Sequence, residues 1–335
     1  MMPRPAPPDP MNPVSGTPTM RFHATRRSLL LGAAAVLAAP AISRAQTPVL
    51  RIGNQKGGLR SLIEASGQGK DLPYRIEWSE FPAAAPLLEA LNAGAIDLGT
   101  QGDLAFLSVF ANGAPIRAIG ATRADAASQA ILVPGQSTAR TIADLRGRKV
   151  AANRGGWGQY LLRAALKREG IPHGEVTQVP LGPADASLAF RSGAVDAWVI
   201  WEPYNSIEIE GFGARILADG TGLTPTVSLL SVNEAALRDK RPLLTDFVRR
   251  NERGWAWAQE NIPAFARSTS ELTRIPEAML RRAYTVQKTR AVPLDAALAA
   301  ELQVAADQSV EFGVMARTIR VADAVDTGFT LASAR

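Results

Sequence analysis

The chain contains no cysteine. That excludes a disulfide framework, a thiolate metal site and a cysteine nucleophile. It has two histidines, His23 and His173. His23 stands in the N-terminal segment. His173 lies in the loop Gly170-Ile171-Pro172-His173-Gly174 and reads as solvent-exposed. One histidine in the body of the chain leaves almost no room for histidine-based metal or triad chemistry. Neither a metal nor a cofactor is expected. The apolar run from Leu29 to Ala41 is too short to span a bilayer.

That run belongs to a targeting segment. Residues 1–19 are Pro-rich and read as structureless. Thr25-Arg26-Arg27-Ser28-Leu29-Leu30 sets paired arginines just before the apolar stretch, and Ser43-Arg44-Ala45 offers small residues at −3 and −1 of a cleavage site. The arrangement resembles a twin-arginine export signal, with an ordinary Sec signal as the alternative. Met20 as the true start would give a leader of normal length. Residues 1–45 carry five arginines against Asp9, a net +4, so the stated +6 falls to about +2 beyond Ala45. A nearly balanced protein is a poor nucleic-acid partner.

The rest of the chain is organised around the stretch Val150 to Tyr160. Val150 to Ala152 reads as the end of a buried strand and Asn153-Arg154-Gly155-Gly156 as a turn. A helix follows from Trp157, with Leu161, Leu162, Ala165 and Leu166 along one face. Such a turn exposes the N–H groups of the helix's first turn, which with the helix dipole favour an anion. Glycines at Gly155 and Gly156 let a ligand approach the backbone.

The same design stands ninety-nine residues earlier. At that offset Asn54 faces Asn153, Gly57 faces Gly156, Leu62 faces Leu161 and Asp103 faces Glu202. Ala90 to Asp97 faces Ala189 to Asp196. Two α/β units of one design imply two lobes. Ligands in such sheets sit outside the carboxyl ends of the strands, here in a cleft between the lobes. Strands are read at Val49–Gly53, Tyr74–Trp78, Ile96–Gly99, Ile116–Ala121, Ala130–Val133, Val176–Pro180, Ala197–Trp201 and Thr226–Val232. Helices are read at Leu59–Gly67, Pro82–Ala93, Leu104–Ala111, Thr141–Leu145 and Ala184–Ser192; from Asn233 onward the pattern is helical, with one helix from Leu244 past Trp257 and others at Pro263–Thr269, Pro276–Tyr284 and Ala296–Phe312. The turn at Gly102 feeds a third helix start, where Asp103 doubles as an N-cap. Trp198 and Trp201 point to opposite faces of their strand, one to the core and the other to the cleft. Arg281, Arg282, Lys288 and Arg290 read as a solvated face.

On Arg51-Ile52-Gly53-Asn54-Gln55-Lys56-Gly57-Gly58, Gly99-Thr100-Gln101-Gly102-Asp103, Val150 to Gly155 and Asp196-Ala197-Trp198-Val199-Ile200-Trp201-Glu202-Pro203, the chain resembles the solute-binding proteins of ABC importers. It is most similar to the aliphatic-sulfonate group, within the set that takes taurine, nitrate and pyrimidine thiamine precursors. The resemblance implies an α/β, two-lobed periplasmic binding protein fold of type II. Two doubly wound sheets would be joined by hinge strands, with a helical C-terminal region packed on lobe one. The expected division is 1–45 export signal, 46–123 first part of lobe one, 124–228 lobe two, and 229–335 return to lobe one. The expected ligand-binding residues are Asn54, Gln55, Gly57, Gly102, Asp103, Asn153, Gly155, Gly156, Trp157, Trp201 and Glu202. The protein would be a periplasmic monomer with no catalytic residues, delivering a small anion to an inner-membrane permease. A pyrimidine-precursor enzyme shares the architecture but relies on His and Cys chemistry. A periplasmic sensor module is the third alternative.

Overall fold

Short strands that end in glycine turns, each feeding an amphipathic helix, generate the architecture twice. The computed structural model describes residues 47–329, so the export segment lies outside the described residues. The first unit runs β1 (Val49–Gln55), α1 (Leu59–Ala65), β2 (Arg75–Phe81), α2 (Ala84–Asn92), β3 (Leu98–Gly102), α3 (Asp103–Ala111) and β4 (Ile116–Arg123). The second runs β5 (Gln129–Val133), β6 (Lys149–Ala151), α4 (Trp157–Arg168), β7 (Thr177–Val179), α5 (Pro183–Arg191), β8 (Ala197–Trp201), α6 (Tyr204–Phe212) and β9 (Arg215–Asp219). The chain then returns through β10 (Val227–Asn233), α7 (Glu234–Asp239), α8 (Arg241–Glu260), α9 (Ile262–Thr273), α10 (Glu277–Gln287), β11 (Arg290–Val292) and α11 (Ala296–Glu311).

Two mixed sheets result, ordered β2-β1-β3-β10-β4-β11 and β7-β6-β8-β5-β9. In each, three parallel strands meet an antiparallel fourth. Both sheets are covered on both faces. On the first, Leu87, Leu91, Phe106 and Leu302 pack on one side, and Leu59, Ile63, Leu244 and Phe247 on the other. On the second, Ala197 and Val199 of β8 face the leucines of α4, while Trp198 and Ile200 face Ala186 and Phe190 of α5. The period of two along a strand sends alternate residues to opposite layers. Trp198 is thus core and Trp201 stands at the cleft.

The repeat is geometric, with one correction. The offset of 99 holds from α2/α5 through β3/β8: Gly94 and Gly193 both end a helix with positive φ, and Asp97 matches Asp196. In the first half the structural offset is 98. Gly57 and Gly155 both take positive φ, and Gly58 and Gly156 are the N-caps. Gly57 therefore corresponds to Gly155 rather than to Gly156. Only a residue without Cβ enters this left-handed region cheaply, so φ, not residue type, fixes the equivalence.

Three elements escaped the sequence pattern: α6, β9 and β11. Arg290, read as part of a solvated face, begins β11 at the edge of the first sheet. Arg282, from the same cluster, pairs with Glu210 of α6 at 3.0 Å. The helical tail packs on the first sheet through α8 and α11. It also reaches the second unit, where α10 packs on α6. The return crossing leads into β10, which begins at Val227. Thr226, at φ +52°, ends it, and its hydroxyl donates to Ala124 O at 2.7 Å. Ala124 N donates back to Thr226 O at 3.0 Å, so the two crossings, between β4 and β5 and between β9 and β10, run bonded side by side.

Asp97 and Asp196 show the same local device in different surroundings. Asp97 accepts from Arg51 N at 2.8 Å, from the Arg51 guanidinium at 2.6 Å and from Lys240 at 2.7 Å. Asp196 accepts from Lys149 N at 2.8 Å and from Arg148 at 3.3 Å. The Asp97 side chain is 2% exposed and that of Asp196 41%. Burial alone would raise the Asp97 carboxyl, but the bonds from Arg51 and Lys240 outweigh it and hold it below its usual range. Its contribution is therefore present above about pH 4 and lost in stronger acid. Asp97→Asn is expected to cost about 2–3 kcal/mol in urea unfolding at pH 7, and Asp196→Asn under about 1 kcal/mol. Equal costs would refute the assignment of the difference to burial.

Candidate functional site

Helices α1, α3, α4 and α6 begin where the carboxyl ends of their strands meet. Their N-caps are Gly58, Gly102, Gly156 and Pro203, and none bonds its helix through a side chain. One first-turn N–H of each is taken by a nearby polar side chain. Arg60 N donates to Asn54 Oδ1 at 2.9 Å and Gly158 N to Asn153 Oδ1 at 3.1 Å. Leu104 N donates to Asp103 Oδ1 at 2.7 Å and Ser206 N to Glu202 Oε2 at 3.0 Å. A helix leaves more N–H groups than one at this end, and the remainder suit an anion.

The ends surround a cavity of about 200 Å³. Gln55, Gly57, Gly102, Asn153, Gly156 and Trp157 line it, as do Trp201 and Glu202. Gln55 is held by a bond from its Nε2 to Thr100 O at 3.1 Å. The Trp157 indole lies on Gly102: a Cβ there would stand 3.0 Å from Trp157 Cε2, and the ring would have to give by a few tenths of an ångström. Trp201 meets Tyr204 edge-on at 6.5 Å.

Three expected site residues do not reach the cavity. Asn54 is buried behind it, where its Nδ2 donates to Glu80 at 2.8 Å while its oxygen caps α1. Both ends of the amide are spent on structure. Gly155 makes the left-handed turn, and its N–H goes to Gln159 Oε1 at 2.9 Å. Asp103 is wholly buried, accepting from Trp157 Nε1 at 2.5 Å. It joins the lobes beneath the cavity. Around it, Gln159 donates to Gly313 O at 3.3 Å, Tyr160 to Gln308, and Lys167 to Glu311 at 2.7 Å.

The wall also holds residues outside the expected set: Lys56, Ser128, Asn251, Trp255, Tyr284 and Gln287. Asn251 had a signal. It falls on the buried stripe Leu244, Phe247, Val248, Asn251 of α8. A polar residue on an apolar stripe needs a partner, and its buried Oδ1 has none within the protein. Lys56 is the one Lys or Arg in this wall and Glu202 the one carboxylate. Burial raises the Glu202 carboxyl above its ordinary value against the bonds from Ser206 and the charge of Arg282. Among the described residues no group of three or more His, Asp and Glu is placed to hold a metal.

Burial pushes the Asp103 carboxyl up to about 7, although the bonds from Trp157 and Leu104 favour its charged form. Between about pH 4 and that value, the folded state holds a proton that the unfolded chain has released. Stability of the ligand-free protein is thus expected to fall as pH rises through this window. Asp103→Asn keeps the acceptor for Trp157 and should flatten the slope, read by urea unfolding at pH 5 and pH 8. A variant with the wild-type slope would show that Asp103 does not titrate there.

Residues 80–263 match the family model described as NMT1/THI5 like. The aliphatic sulfonates-binding protein of Escherichia coli (strain K12) is 42% identical over 182 residues, which is 53% of this chain and 57% of that relative. The alkanesulfonate-binding protein SsuA of Xanthomonas axonopodis pv. citri, solved bound to MOPS, superposes with a TM-score of 0.77 at 31% identity. That match covers 83% of this chain and 98% of the other. The periplasmic aliphatic sulphonate binding protein SsuA of Escherichia coli gives a TM-score of 0.75 at 31% identity, covering 83% and 92%. The chain is homologous to these sulfonate-binding proteins and belongs to the NMT1/THI5-like family.

Proposed function

We propose that this chain captures an aliphatic sulfonate between its lobes in the periplasm and delivers it to the permease of an ABC importer. The observation that carries the reading is the convergence of helix N-termini from both lobes on one small cavity. A sulfonate presents three acceptor oxygens and no proton near neutral pH, so a wall of N–H donors suits it. Charge-assisted bonds of this kind are stronger than neutral ones. Gln55, Asn153 and the backbone at Gly57, Gly102 and Gly156 would hold the head group. Trp157 and Trp201 would cover the carbon tail, where burial contributes about 25 cal/mol per Å². The homologues support the ligand class, being described as binders of alkanesulfonates and aliphatic sulfonates.

Glu202 and the unpartnered Asn251 oxygen favour a second reading, a ligand that also carries an amino group, such as taurine. Either ligand would be enclosed by hinge motion at the paired crossings, the mode of closure of periplasmic binding proteins. The lobes would then divide near residues 123 and 227.

A thermal-shift screen of alkanesulfonates, taurine, nitrate and aminopyrimidines should show its largest shifts among the sulfonates. Binding at a hundredfold excess over Kd stabilises by about 2.7 kcal/mol. Gly156→Val should abolish the shift while the ligand-free protein stays folded. Gly156 is extended, so any residue fits its backbone, but a Cβ would stand 2.8 Å from Asn153 Nδ2 and displace that side chain. Small-angle scattering should show a smaller radius with ligand. A shift with an uncharged compound and none with any sulfonate would overturn the anion site.

Periplasmic location is proposed from the Arg26-Arg27 pair and from the relatives. N-terminal sequencing of the exported protein should begin at Gln46, and lysines at Arg26 and Arg27 should block twin-arginine export. Unaffected secretion of that variant would point to the Sec route, and an unprocessed cytoplasmic chain would refute export.

A further inference from the structure

A second hollow, of about 340 Å³, adjoins the cleft between α8, α9, α10 and β11. Trp255, Tyr284, Gln287 and Thr289 wall both spaces. Beyond them the second hollow is lined by Phe265 and Ile262, with Lys288 and Arg290 at its rim. Two of the rings are fixed. Phe265 stacks on Tyr284 at 4.1 Å and 7°, and the Tyr284 hydroxyl donates to Thr269 at 3.0 Å. Trp255 is only half-buried and meets Phe265 edge-on at 6.3 Å. It is the least buried ring of the partition.

A ligand longer than a short alkyl sulfonate has the second hollow as the adjoining space for its organic part. We infer that the second hollow is a subsite for the ring of an aryl sulfonate whose head group occupies the cleft, with Trp255 swinging aside to join the two. This rests on the sulfonate reading of the cleft and adds the ligand's organic part. The chemistry favours an aromatic ring over a saturated one. Phe265 and Trp255 offer edges and faces for aromatic contact, and Lys288 and Arg290 supply cations that attract a π face.

The test compares methanesulfonate with naphthalene-1-sulfonate by calorimetry on the intact exported protein. Naphthalene-1-sulfonate should bind at least tenfold more tightly. Gln259 lines the second hollow and not the cleft, and sits exposed at the end of α8, where its Nε2 donates to Thr289 O at 3.0 Å. Gln259→Trp should fill the hollow, erase the tenfold preference and leave methanesulfonate binding unchanged. Gln259→Phe, the milder filling, keeps the comparison if the first variant fails to fold. Methanesulfonate binding with no gain for the naphthyl compound would overturn the subsite alone, as would a naphthyl preference that survives both fillings. Binding of neither compound would overturn the sulfonate reading itself.

Discussion

An α-helix leaves the N–H groups of its first turn unpaired, and burying them unsatisfied is costly. Here four such ends are brought to one place. Asn54, Asn153, Asp103 and Glu202 each satisfy one N–H group, which fixes how each helix leaves its strand. The cavity is what remains of that demand. Its walls carry neutral polar side chains such as Gln55, Asn153 and Asn251, with Lys56 and Glu202 as the charged exceptions. An anion held in this way meets dipoles set by helix geometry, and these need no reorganisation when it arrives.

The two halves use the repeat differently. In lobe two, Asn153 caps its helix and lines the cavity; in lobe one, Asn54 caps its helix from behind. Asp103 and Glu202 diverge further. Asp103 goes under Trp157 and becomes a contact between lobes, whereas Glu202 faces the cavity. One repeated plan therefore yields a buried structural acid on one side and a cavity-lining acid on the other. The indole of Trp157 is central to this asymmetry, since its ring lies on Gly102 while its N–H reaches Asp103. Opening the lobes must break that bond and expose the ring. The crossings at Ala124 and Thr226 are bonded to each other, so the lobes are tethered by a paired strap rather than by two independent strands.

The sequence by itself determined the α/β units, because glycine turns after β-rich runs and leucines at helical spacing leave few other folds. It also marked turns that line the cavity, since Gly57, Gly102 and Gly156 stand where strand ends lead into helices. The lack of cysteine excluded thiol chemistry, and a single histidine in the body of the chain left little room for imidazole chemistry. Tertiary structure decided the rest. Whether Asn54 faces inward or outward depends on Glu80 across the β1–β2 pair, and no local pattern encodes that partner. Asp97 and Asp196 are alike in sequence context, yet Asp97 is buried with Lys240 packed against it while Asp196 stays exposed beside Arg148. Trp255, Tyr284 and Asn251 reach the cavity from a helical tail that lies far from the motifs in sequence. Short-range periodicity reports which face of an element is buried, but what that face is buried against is set by contacts over more than a hundred residues.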